Sequence, residues 1–203
     1  MALLAGSRGR AKGPRPPAQR RTDRPHRVRT RRGARVSEAR AAEAGRIRAW
    51  IIAEAAKPLE ELRDYVEAQR GALAAAAAAF SNDELQSHPG GDAWTPLEAL
   101  RHVIEWNSQV GEDVLHVALT GERPGNPKPD FQMDRDSLLA RHAADLDSVW
   151  QHVSAADPGA FLEVRWDHFL LGPLNWREWY LFLGVHAYDH AGQLREMRET
   201  LDA

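Results

Sequence analysis

Cysteine is absent from this chain. The absence excludes disulfides, thiolate metal sites and a cysteine nucleophile, and it leaves His, Asp and Glu as the side chains able to ligate a metal. Apolar runs are short too. None approaches the roughly 20 residues that span a bilayer, so no membrane protein is expected, and the lack of cysteine fits a cytoplasmic one. Net charge is also small, only −2, but it conceals an asymmetry. Residues 1–35 hold eleven arginines and Lys12 against Asp23 alone, about +11; of the chain's 27 basic and 29 acidic residues this leaves 15 and 28 for residues 36–203. An acidic body binds nucleic acid poorly, so any polyanion contact is expected through the tail alone.

The first 35 residues mix Arg, Pro and Gly with almost no apolar side chain after Leu4. Such a segment buries too little surface to offset its ordering entropy. We therefore expect a disordered basic tail, taken as residues 1–45, ahead of one folded domain over residues 46–203. Two readings of the tail stay open: an arginine-rich arm that neutralises phosphates, or a solvated extension that includes translated upstream sequence. The twin arginines Arg20-Arg21 and Arg31-Arg32 are not followed by the hydrophobic segment of a targeting signal.

Four helical segments follow. The first signal runs from Arg46 to Phe80, with Pro58 starting or kinking it and an alanine run at residues 74–79 of the highest helix propensity. Ser81-Asn-Asp-Glu84 reads as a capping box for a short turn, and Pro89-Gly90-Gly91 breaks the chain. Thr95, Pro96 and Glu98 then form a cap, first position and capping box for a helix to Leu119. The loop Gly121–Pro129 leads to a third helix, Asp134–Ala155. Residues 160–174 read as irregular or weakly extended. A last helix opens on the box Asn175-Trp-Arg-Glu178 and runs to Leu201, its first half apolar nearly all round. A helix of that kind is buried centrally or shared with a second subunit. With no convincing strand, the expected fold is an all-α four-helix bundle.

His186 and His190 lie one turn apart within the apolar stripe of that last helix. At i and i+4 two imidazoles can converge on one ion, which would satisfy a nitrogen on each buried ring. Two core histidines bonded to neighbouring side chains are the alternative. A third ligand must come from elsewhere. His102 lies away from the main apolar stripe of its helix, and helical periodicity does not select it over His142, His152 or His168. Of the others, His26 falls in the tail, while His88, His116 and His142 are expected at surfaces or helix ends. Trp94 is read as an anchor, Trp106 and Asn107 as candidate substrate contacts, and Glu105, Asn107 and Asp189 as candidates to support ligands or handle protons.

Three segments carry a resemblance. Trp94-Thr-Pro-Leu-Glu-Ala-Leu-Arg-His102 is similar to the Trp-Ser/Thr-x-x-Glu-x-Leu-x-His opening of the second helix in the DinB-like (YfiT-like) superfamily. Phe80-Ser-Asn-Asp-Glu-Leu85 resembles the short turn that precedes it there, and His186-Ala-Tyr-Asp-His190-Ala-Gly-Gln193 resembles that family's His-x-x-x-His-x-Gly-Gln segment. Their order and spacing agree over roughly Arg46–Asp202. The resemblance implies a bundle, commonly a homodimer, with a divalent metal, zinc or nickel, on His102, His186 and His190. Many members carry a further histidine where this chain has Asp189.

Three neutral imidazoles leave positions open on an ion, as catalytic sites do. The resemblance implies transfer of a low-molecular-weight thiol onto an electrophile, or hydrolysis, with a small reactive compound as substrate. Without cysteine, the thiol would arrive as a co-substrate. The other readings are a non-catalytic, dimeric, stress-associated metal-binding protein and a nucleic-acid tether acting through the basic tail.

Overall fold

Proline and capping residues divide the chain into its elements. The computed structural model describes the backbone of residues 31–91 and 93–202 and the side chains of residues 41–91 and 93–202. Helix α1 spans Arg31–Ala55 and α2 spans Leu59–Ala78. Pro58, extended at φ −51° and ψ 147°, separates them, so the single signal expected from Arg46 to Phe80 is two helices. The first starts at Arg31, ahead of the expected Arg46, in a stretch rich in Ala, Glu and Arg. Residues 1–30 of the tail lie outside the described residues.

The caps form as the sequence predicts. Ser81, Thr95 and Asn175 each close a capping box, with Glu84, Glu98 and Glu178, at the starts of α3 (Asn82–Leu85), α4 (Pro96–Thr120) and α6 (Trp176–Leu201). Asp134 caps α5 (Arg135–Val153) by accepting from the Ser137 N–H. Helix α4 stops at Gly121, whose φ of +72° is left-handed. A Cβ there would stand 2.6 Å from the Phe161 ring, so glycine is required twice over.

Helices α2, α6, α4 and α5 pack in that cyclic order, each against the next, which makes the expected four-helix bundle; α1 lies against α6. Helices α2 and α6 approach closely where a Cβ on Gly184 would meet Tyr65 at 2.9 Å and the Val66 backbone at 3.2 Å. The apolar first half of α6 is covered within the one chain: Trp176, Trp179, Tyr180, Leu181, Phe182 and Leu183 are all buried. Central burial, the first of the two readings of that helix, accounts for its composition. Among the described residues no helix is long and apolar enough to cross a membrane.

Residues 160–174 hold a small element that the sequence pattern left unassigned. Strand β1 (Arg165–His168) pairs antiparallel with β2 (Gly172–Asn175), with Trp166 opposite Leu174 and His168 opposite Gly172. Four residues put only Trp166 and His168 inward, too few for an alternation to stand out. The hairpin packs its inner face on the start of α6, where Trp166 stacks on Trp179.

The core divides into two apolar clusters along the bundle. Val66 and Leu73 of α2 fall on opposite sides of the divide, as do Ile104 and Val110 of α4, Leu138 and Leu146 of α5, and Leu183 and Ala187 of α6. Between those positions Asn107, His142 and His186 join across the bundle by hydrogen bonds, a polar layer within an apolar stack.

Candidate metal centre

The cap at Thr95 sets the register of α4, and that register turns His102 toward α6 rather than into the main core. There it meets His186 and His190, with ring centres 5.6 Å and 5.2 Å away; the latter two are 4.7 Å apart. One nitrogen from each ring lies within 4.8 Å of the others, an arrangement compatible with binding a metal ion. Nε2 of His186 and Nε2 of His190 are 3.1 Å apart. Two nitrogens on one tetrahedral ion at about 2.1 Å sit roughly 3.4 Å apart, so this pair is nearly at ligand spacing already.

Hydrogen-bond partners determine which nitrogens carry protons. Asn107 Nδ2 donates to the Leu183 carbonyl at 3.1 Å, and a carbonyl only accepts, so the Asn107 oxygen faces the other way. That oxygen lies 3.0 Å from His186 Nδ1, which must therefore be the protonated nitrogen. His190 Nδ1 likewise donates to Gln193 Oε1 at 2.7 Å. Both Nε2 atoms are then bare lone pairs, facing each other across 3.1 Å with no proton between. Two such lone pairs repel, and a cation between them is the partner that the arrangement fits.

The surroundings keep the rings neutral. Burial pushes His186 well below the ordinary histidine range, with His190 and His102 adding to the effect. Burial is also the main cause of the lowering at His102, with His190 next. At His190 burial again lowers the pKa, against the opposing pull of Gln193 and Asp189. Neutral imidazoles are the form that ligates, and few protons compete for them near pH 7.

Aromatic rings wall the cluster. Trp94, 43% exposed, lies 4.8 Å over His102. Trp106 meets His186 edge-on at 4.6 Å, and Phe182 stacks on it at 6.0 Å. On the outer side, a cleft of about 450 Å³ opens beside His190, lined by Trp94, Tyr188, Asp189, Gln193 and Arg195.

The remaining candidates fall in different places. Asp189 is exposed and lines that cleft. Glu105 is buried but bonded elsewhere: it accepts from the Phe131 N–H at 2.9 Å and pairs with Lys128 at 3.2 Å, holding the α4–α5 connection. Asn107 is 2% exposed behind His186, which suits support of a ligand and not contact with substrate. His142, expected at a surface or helix end, is 1% exposed and bonded to Asn107. The signal for it was present, since Leu138, His142 and Leu146 stand at successive steps of four. Gln193 had a signal as well, one turn beyond His190. His168 had none. It is buried in the hairpin, where Nδ1 accepts from the N–H groups of Leu170 and Leu171 and the ring lies 4.6 Å from Phe182.

Comparison with known proteins agrees with this geometry. No curated protein and no solved structure matches the chain. The family model of the DinB superfamily matches residues 65–194, from within α2 to within α6, a span that includes all three clustered histidines. On that match, with the bundle and histidine cluster beside it, the chain belongs to the DinB superfamily.

Proposed function

We propose that His102, His186 and His190 ligate one divalent ion, zinc or nickel, and that the protein is a metal-dependent enzyme. Its reaction is transfer of a low-molecular-weight thiol onto an electrophile, or hydrolysis of a small reactive compound. The observation that carries the metal reading is the convergence of one nitrogen from each of the three rings within 4.8 Å, with Nε2 of His186 and Nε2 of His190 3.1 Å apart. When bound, the ion would supply Lewis-acid chemistry, lowering the pKa of water or a thiol or polarising an electrophile.

The chain's own residues do the rest. Asn107 and Gln193 hold two of the rings in the tautomer that presents Nε2. Trp106 and Phe182 keep water from the inner side of His186, where a low local dielectric strengthens any charge interaction. The cleft beside His190 admits a small molecule from outside, and Asp189 on its wall is the nearest candidate to handle a proton. Because the chain has no cysteine, a thiol must come from solution.

The test is turnover of small electrophiles with and without added thiols, by full-length protein loaded with zinc or nickel. We expect activity that a chelator abolishes and metal restores. Tight metal binding with no turnover across such a panel would defeat the enzyme reading and leave a metal-binding protein without catalysis.

A further inference from the structure

The polar layer extends one residue past the support of His186. His142 Nε2 lies 3.2 Å from Asn107 Nδ2, the nitrogen that also donates to the Leu183 carbonyl. An amide nitrogen only donates, so His142 Nε2 accepts, and its proton sits on Nδ1. That Nδ1 is buried and has no hydrogen-bond partner among the described residues. An unpaired buried N–H is a standing cost, and the neighbours one turn away on α5, Leu138 and Leu146, show that an apolar side chain suits this ladder. Packing alone therefore gives no reason for a histidine here. A reason lies in the amide it faces. Asn107 has two N–H donors, and with His142 and Leu183 both accepting, each is used and the amide cannot rotate end for end. The oxygen is thereby held on His186 Nδ1.

We propose that His142 is a positioning residue: through Asn107 it locks His186 in the Nδ1–H tautomer, with the Nε2 lone pair aimed at the histidine cluster. Its consequence for metal affinity rests on the metal reading above; its consequence for the tautomer does not.

Two measurements on the full chain separate the two claims. Ring-nitrogen NMR on ¹⁵N-histidine protein without metal reads the His186 tautomer, and zinc affinity is read by competition with a chromophoric chelator. Wild type and His142→Gln, whose amide oxygen can accept from Asn107, should show a single Nδ1–H tautomer and zinc affinities within about threefold. His142→Met leaves the Leu183 carbonyl as the one acceptor orienting the amide and leaves one Asn107 N–H unpaired; an Nε2–H form of His186 should become detectable beside the Nδ1–H form, and zinc affinity should fall by roughly tenfold, the lower end of the range for groups supporting a ligand. A single Nδ1–H tautomer in His142→Met would overturn the inference. If wild type binds no zinc, the metal reading fails, and the tautomer comparison still decides this one. Should His142→Met not fold, His142→Leu takes its place; a chain that folds with Gln but with neither apolar residue would show that the hydrogen bond to Asn107 serves folding and not the His186 tautomer, and would sink the proposal.

Discussion

Lowering the pH should destabilise this protein through its buried imidazoles, and the contribution of His142 can be isolated. Burial, with Arg70 adding to it, pulls His142 from 6.5 down to about 4. The folded state therefore resists protonation while the unfolded chain accepts it. The full stability is present above pH 6.5 and is lost progressively as the pH falls toward 4. A shift of this size amounts to about 3 kcal/mol between the two protonation states, of which roughly 2.5 kcal/mol is expressed at pH 4.5. Urea unfolding of wild type and His142→Met at pH 7.5 and pH 4.5 gives four free energies. Carboxylates titrate in both proteins and cancel in the double difference. Wild type should lose about 2.5 kcal/mol more than the variant over that interval. Parallel losses would refute the reasoning, because a histidine removed without effect on the pH slope was not buried in its neutral form.

Other perturbations have equally definite outcomes. Gln193→Leu removes the acceptor of His190 Nδ1 and should weaken zinc binding by roughly 10–100-fold in a chelator competition, with little change in melting temperature because Gln193 itself is only half-buried. Gly184→Val pushes a side chain into Tyr65 and the Val66 backbone and should cost about 1–3 kcal/mol in urea unfolding. Gly71→Ala, on α2 with open space at its Cβ, should instead gain up to about 1 kcal/mol.

Much of the fold was legible because its signals are local. A cap such as Thr95 with Glu98, or a break such as Pro58, is set by a few adjacent residues, and each acts where it was read. The stripe of α6 likewise marks the face on which His186 and His190 project. What periodicity left open was everything decided between helices. His102 lies off the main stripe of α4, since it faces the edge of α6 and not the core, and only family resemblance singled it out. His142 is expected at a surface or helix end, yet it is 1% exposed, on the ladder where its spacing from Leu138 and Leu146 places it. The hairpin escaped because strands of four residues are too short for an alternation to stand out, and His168 went with it.

The central claim is that three histidines from two helices make one metal site. Metal content of the full chain, reloaded with zinc and freed of excess, tests it most directly. Wild type should hold about one zinc per chain, with near loss of it in His102→Ala, His186→Ala and His190→Ala and full retention in His152→Ala, whose exposed ring is bonded only to its own helix. A wild-type protein without zinc, or a His102→Ala variant that keeps its full equivalent, would contradict it.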